Sequence, residues 1–228
     1  MIAAPPNSDD TAHVRLPRQL VDREHFILDE CRGQRVLHLG FVDHPYLAER
    51  LANGTWLHRR LFGVARELVG VDTACGEVEQ LKGRPDVGQV LCGDAESLEQ
   101  LELQPFERIV AGELMEHLNN VGLFLGSVKS LLAPDGRLII SVPNAFCLRR
   151  TLRVALGVES VHPDHVAYYS HATLKHLLTR YSYTIEHLAG YRLPVGTTRA
   201  AYLLDRAASL VSPNLCEGLV YSVKVGRG

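Results

Sequence analysis

The amino-acid sequence reads as an α/β domain with a doubly wound, mainly parallel sheet, on three grounds. Short β-rich runs at residues 35–39, 68–71, 89–92, 108–111 and 137–142 alternate with helix-like segments at 46–52, 77–82 and 121–132. Such alternation lays successive strands side by side through right-handed crossovers, with helices over both faces. The runs are apolar throughout, as strands buried on both sides are. Polar residues then gather at the run ends: His38 and Asp43 at the first, Asp72 at the second, Asp94 at the third, and Glu113, Glu116 and His117 at the fourth. In these sheets ligands bind beyond the carboxyl ends of the strands, where the winding reverses, so the four groups should face one crevice.

The whole chain sets bounds on that reading. Its 228 residues suit one domain with a substantial core. Hydrophobic residues make up 46% and charged residues 22%, ordinary for a globular protein. The net charge of -2 and the lack of long Lys/Arg runs leave no basic face for phosphate contacts, so a small molecule is expected and nucleic acid is not. No apolar run reaches the roughly 18 residues of a membrane span. Cys31, Cys75, Cys92, Cys147 and Cys216 are scattered and form no C-x-x-C. That pattern argues against a disulfide framework or structural zinc and fits a cytoplasmic protein. The opening MIAAPPNSDDTAH carries acids where a signal peptide would be basic. Residues 1–13 are therefore expected to be a disordered tail, and 14–228 a single domain.

The elements follow in order. The first run leads into a turn and the helix at 46–52; the second and third runs flank the helix at 77–82. After the fourth run and the helix at 121–132, Pro134-Asp135-Gly136 makes a turn into the fifth run. The stretch from 144 to about 169 is too long for an ordinary connection and reads as a substrate lid. Ser170 is placed to cap a helix over 170–181, with Leu174, Leu177 and Leu178 on one face. A strand at 184–188, a helix at 198–210 and an alternating strand at 218–225 complete the chain; the apolar helix offers a surface for a homodimer.

The run ends carry the chemistry. In Val69-Gly70-Val71-Asp72 the acid suits a ribose diol, although an exposed turn or a helix cap would use Asp equally well. In Leu91-Cys92-Gly93-Asp94-Ala95-Glu96, Asp94 could accept from an exocyclic amine while Ala95 offers its N–H to a ring nitrogen; helix capping is again the alternative. "FERIVAGELMEHL" and "LLAPDGRLIISVPN" follow. Together these motifs, from about residue 34 to 191, resemble the class I S-adenosylmethionine-dependent methyltransferases, in particular the small-molecule branch that includes the ubiquinone-biosynthesis O-methyltransferases. The resemblance implies a Rossmann-like, seven-stranded sheet with its last strand antiparallel, and S-adenosyl-L-methionine as cofactor. It implies that Asp72 holds the ribose hydroxyls, Asp94 and Ala95 the adenine edge, and Glu113 the methionine side, with His117 facing the acceptor.

The first loop departs from the family pattern of an acid followed by Gly-x-Gly-x-Gly. His38 stands at the acidic position, Gly40 is kept, and Val42 and His44 replace the later glycines. Val42 is a poor residue for φ > 0, whereas Asp43 tolerates such turns and could accept from the methionine ammonium. A subgroup with "VLHLG", Asp-x-Pro and a later Leu-His resembles Asp43-His44-Pro45 and Leu57-His58, which implies a working variant of the loop; Tyr46, Trp56 and His58 could border the cofactor, and amphipathic packing explains them equally well.

Methyl transfer to a hydroxyl or ammonium also needs a proton acceptor, and histidine suits neutral pH. His117, His162 and His165 are the candidates; the last two stand in His162-Pro163-Asp164-His165 and could equally serve as loop supports. No metal is expected, because no Cys pair or further His cluster accompanies them. Arg149, Arg150 and Arg153 could grip an anionic acceptor or form a solvated helix face. Two other readings compete: an inactive scaffold whose loop is packed shut by Phe41, Val42 and His44, and a nicotinamide-dependent oxidoreductase, which the lack of G-x-G-x-x-G disfavours.

Overall fold

A computed structural model describes residues 16–18, 20–192, 207 and 211–226. In chain order the elements are β1 (Leu20–Val21), α1 (Arg23–Cys31), β2 (Arg35–Leu39), α2 (Leu47–Asn53), α3 (Leu57–Phe62), β3 (Glu67–Asp72), α4 (Cys75–Leu81), β4 (Gln89–Cys92), β5 (Phe106–Gly112), α5 (Val121–Leu131), β6 (Leu132–Pro143), α6 (Leu148–Ala155), α7 (His171–Arg180), β7 (Tyr183–Tyr191) and β8 (Gly218–Val225). They build one sheet in the order β1-β7-β8-β6-β5-β2-β3-β4. All pairings are parallel except those of β8, which runs against β6 and β7.

The doubly wound sheet with an antiparallel last strand is as the sequence implies, with one strand more than the seven expected. The extra strand, β1, holds the edge by pairing with β7 at only Leu20 and Val21, too short a segment to carry a periodic signal. The strand expected at 137–142 begins at Leu132, because the Pro-Asp-Gly segment forms an irregularity between Phe106 and Arg108 of its partner and does not break the strand. The tail at 1–13 and, apart from Ala207, the helix at 198–210 lie outside the described residues.

Apolar strands with helices on both faces divide their side chains by period two. Leu37, Leu39, Ile109, Leu138 and Ile140 meet Phe124, Val128 and Leu174 on one face. Val36, Val110, Ile139 and Val220 meet Ile27 and Leu61 on the other. Deleting one such ring, as in Phe124→Ala, typically costs about 3–5 kcal/mol. α7 begins where expected: the Ser170 side chain accepts from the Thr173 N–H, and Thr173 reciprocates to the Ser170 N–H.

One expectation about the cysteines is corrected. Cys75 and Cys92 are joined in a disulfide with their Cα atoms 5.0 Å apart. Parallel pairing of β3 and β4 sets Cys92 opposite Asp72, which brings Cys75 beside it. Spacing along the sequence does not reveal that proximity.

Candidate functional site

The winding reverses between β2 and β5, which are neighbours in the sheet. Beyond their tips lies the crevice such sheets use for ligands. Gly40 follows β2 directly with φ +67, and its N–H donates to the Val71 carbonyl at 2.9 Å. A Cβ there would stand 3.1 Å from Leu114 Cδ1, so glycine answers both the backbone conformation and the close approach.

The next residues turn away from the crevice. Phe41 and Val42 enter a third apolar cluster with Trp56, Val78 and Leu81. Trp56 Nε1 donates to the Phe41 carbonyl at 2.7 Å, and the Phe41 ring lies 4.5 Å from that of His58. Gly70 makes room beneath them, since a Cβ there would come within 2.8 Å of both rings. The loop's other left-handed residue is Asp43, at φ 59, so Val42 escapes the conformation it tolerates poorly. Asp72 fastens this loop to β3: Oδ2 accepts from the Val42 N–H and Oδ1 from the Ala74 N–H, each at 2.9 Å. A hydrogen-bonded aspartate thus does part of the shaping that further glycines would otherwise do.

With the bulky side chains packed in that cluster, a cavity of about 250 Å³ remains, bordered by Gly40, Asp72, Asp94, Ala95, Leu114 and His117. Asp72 and Asp94 therefore face the same space. Asp94 accepts from the Glu96 N–H at 2.8 Å, which holds the turn after β4 in place.

Past the tip of β5 lies a dense polar group. Glu113 takes φ 51 and accepts from the Tyr191 hydroxyl at 2.5 Å, with Arg23 at 4.0 Å. Burial, and then the Glu113 charge, push the Tyr191 hydroxyl well above its ordinary pKa, so it remains a donor. Glu116 is 1% exposed, and neither carboxylate oxygen has a hydrogen-bond partner among the described residues. Burial, reinforced by the neighbouring Glu113 charge, pushes its pKa up to about 8. The insertion reaches this point by its backbone: the Val166 and Ala167 N–H groups donate to the Glu116 carbonyl at 2.8 and 3.3 Å. The His165 ring then lies 4.6 Å from His117, edge to face, and 5.2 Å from His162. Burial first, then the charges of His117 and His162, lower His165 to about 4.

Gly40, Asp72, Asp94, Ala95 and His117 are brought together at the cavity, and His162 and His165 meet His117 at its edge. Glu113 sits at the tip of β5 in the Arg23–Tyr191 network. Three of the expected residues do not line this cavity. His38 and His58 are buried behind the loop, Nδ1 to Nδ1 at 3.2 Å, with rings stacked. His58 Nε2 faces the Val87 carbonyl at 2.8 Å and so carries a proton. Its Nδ1 is then the acceptor, and His38 Nδ1–H the donor, in a neutral pair. Burial lowers His58 to about 4 and His38 well below its ordinary value. Asp43 is not among the residues that border this cavity; its side chain is 41% exposed and paired with Arg50 at 2.8 Å.

Sequence reasoning passed over Arg23 and Tyr191, which come from α1 and β7, at or beyond the limits of the motifs. The insertion's arginines are engaged locally: Arg149 pairs with Glu217, Arg150 donates to the Asn144 carbonyl at 2.9 Å, and Arg153 to Ser160 at 3.1 Å.

Comparison with known proteins adds to this geometry. The family described as a methyltransferase domain matches residues 18–188. A ubiquinone biosynthesis O-methyltransferase of Azorhizobium caulinodans is 29% identical over 121 residues, which are 51% of this chain and 43% of that protein. The match thus spans less than half the length of that curated relative. Among solved structures, a SAM dependent methyltransferase from Archaeoglobus fulgidus superposes with a TM-score of 0.58 at 17% identity, covering 89% of this chain and 91% of that one. A magnesium protoporphyrin IX methyltransferase from Synechocystis PCC 6803 with bound SAH gives 0.54 at 13% identity, covering 88% and 78%. At such identities the likeness is one of fold.

Proposed function

The chain belongs to the methyltransferase-domain family, and from that premise we propose that it transfers a methyl group from S-adenosyl-L-methionine to an oxygen or nitrogen of a small metabolite. The observation that carries this reading is the single cavity bordered by Gly40, Asp72, Asp94 and Ala95, with His117 at its edge. The residues fit the cofactor. A carboxylate has about four acceptor sites, so Asp72 can hold the loop with two and still receive two ribose hydroxyls. Ala95 and Asp94 offer an N–H and a carboxylate to an adenine edge. Gly40 lets the backbone approach without a side chain between.

The bound cofactor supplies an electrophilic methyl on a sulfonium; the protein's task is alignment, exclusion of water and handling of the acceptor's proton. His117, His162 and His165 surround the region where that proton must go. The insertion from 144 to 169 leaves and returns at one point, where Asn144 bridges Tyr169, and acts as the lid over the acceptor.

The scaffold alternative required a loop packed shut, and the burial of Phe41 and Val42 in the cluster around Trp56, outside the cavity's lining, weighs against it. No helix among the described residues is long and apolar enough to cross a membrane. The Cys31 and Cys147 thiols are buried and unbridged, which supports a cytoplasmic setting; the Cys75–Cys92 bond is the observation against it.

Calorimetry with S-adenosylhomocysteine tests the reading. Micromolar binding that weakens at least tenfold in Asp72→Ala is expected. Absence of heat from the wild-type protein at high concentration removes the proposal, and a response to NADH alone revives the oxidoreductase.

A further inference from the structure

We infer that Glu116, His117 and His165 form a binding site for one divalent transition-metal cation at the edge of the cofactor cavity. A carboxylate oxygen and one ring nitrogen from each histidine all lie within 4.8 Å of one another. Zinc-type ions bind such atoms at about 2.0–2.2 Å. Small side-chain rotations close the remaining gap.

A second observation points to a ligand. Glu116 is 1% exposed, and among the described residues both its oxygens lack a hydrogen-bond partner. A buried carboxylate without donors is costly, and native proteins rarely tolerate one. The cations nearest in charge are engaged elsewhere: Arg23 donates to Ser141 and Arg150 to the Asn144 carbonyl. A metal ion on Glu116 satisfies the carboxylate in a way no described side chain does.

The backbone presets the third donor. Val166 and Ala167 donate to the Glu116 carbonyl, so the residue next to His165 is tied to the residue that bears the carboxylate. One carboxylate with two imidazoles is a borderline donor set that suits zinc, manganese, iron or cobalt; magnesium and calcium prefer oxygen alone. His162, 5.2 Å from His165 by ring centroid, is near enough to hydrogen-bond a metal-bound molecule. Neither Glu116 nor His117 stands near the His162-Pro163-Asp164-His165 stretch in sequence, which is why that stretch alone suggested no metal.

The role of this site rests on the methyl-transfer reading. Three protein ligands leave a coordination position open, and a hydroxyl bound there ionises more easily. The acceptor's O–H then releases its proton to His162 or solvent. The oxygen lone pair forms the new C–O bond, and the sulfur keeps the C–S electron pair and leaves as a neutral thioether. His117 and His165 act as ligands in this arrangement, and His162 remains for the proton.

The test is a calorimetric titration of chelator-treated full-length protein with zinc chloride and, separately, manganese chloride. One equivalent per chain is expected, weakened at least tenfold in both Glu116→Gln and His165→Ala, with visible cobalt(II) absorption lost in His165→Ala. His165 is on the insertion, so its variant keeps the fold even if Glu116→Gln does not. Lack of saturable binding, or binding undiminished in both variants, overturns the site. S-adenosylhomocysteine is titrated in parallel into the metal-free protein. Cofactor binding without metal binding removes only the metal site, and metal binding without cofactor binding removes only the methyl-transfer role.

Discussion

His58 shows how one residue type can serve opposite ends. Beside a Leu-His motif it looks like a cofactor neighbour, yet it is sealed in the core with His38. The warning was in the pattern, because His38 occupies an inward position of an apolar run and shares the burial of Leu37 and Leu39. The convergence of Asp72, Asp94 and Ala95 on one cavity was legible because all three stand at or just past strand ends, which the sheet brings together. Arg23 and Tyr191 were not, because a side chain from a distant element leaves no local trace at the site it reaches. The buried histidine pair also makes acid destabilising. Unfolded, His58 takes up a proton near 6.5; folded, only near 4. Between those values the unfolded chain binds more protons, so stability present above pH 6.5 is lost as the pH falls. From pH 7 to pH 5 His58 alone accounts for a loss of about 2 kcal/mol, and His38 adds in the same direction. Urea unfolding at both values checks this. In His58→Gln, which keeps a donor for Val87, the loss at pH 5 should shrink by that amount, and an unchanged loss would acquit His58.

At the level of elements, strands buried on both faces announce themselves as apolar runs, whereas edge and irregular segments do not. β2 was read from sequence with its observed limits, and β3, β5 and β6 proved longer than their runs. The two-residue β1 gave no signal, and β6 continues through a segment that reads as a turn. The insertion was legible by length alone. α6 within it buries no residue, and Phe146, Leu152, Val154 and Leu156 are all exposed, so it contributes little to the core. Its neck is closed where the Ala145 N–H donates to the Tyr169 carbonyl at 2.8 Å. Replacing residues 151–161, all exposed, with a short glycine-serine linker should therefore leave the melting temperature and S-adenosylhomocysteine affinity nearly unchanged. Methyl transfer should fall by about a hundredfold, the scale of a misaligned reacting centre. Loss of cofactor binding in that variant would show that the insertion belongs to the cofactor site and not to a lid.

For the whole molecule, the doubly wound parallel character follows from alternation and handedness, whereas the antiparallel last strand was implied by the family resemblance. The Cys75–Cys92 bond was not legible, since it depends on which strands end side by side. The same topology gathers Gly40, Asp72, Asp94 and the tip of β5 around one space, and the proposed chemistry depends on that convergence. A crystal structure of the protein soaked with S-adenosylhomocysteine tests it most directly. The ribose hydroxyls are expected on Asp72, the adenine against Asp94 and Ala95, and the thioether sulfur turned toward His117. Adenosine bound elsewhere, or a first loop that refolds to fill the space beside Gly40, would contradict the account.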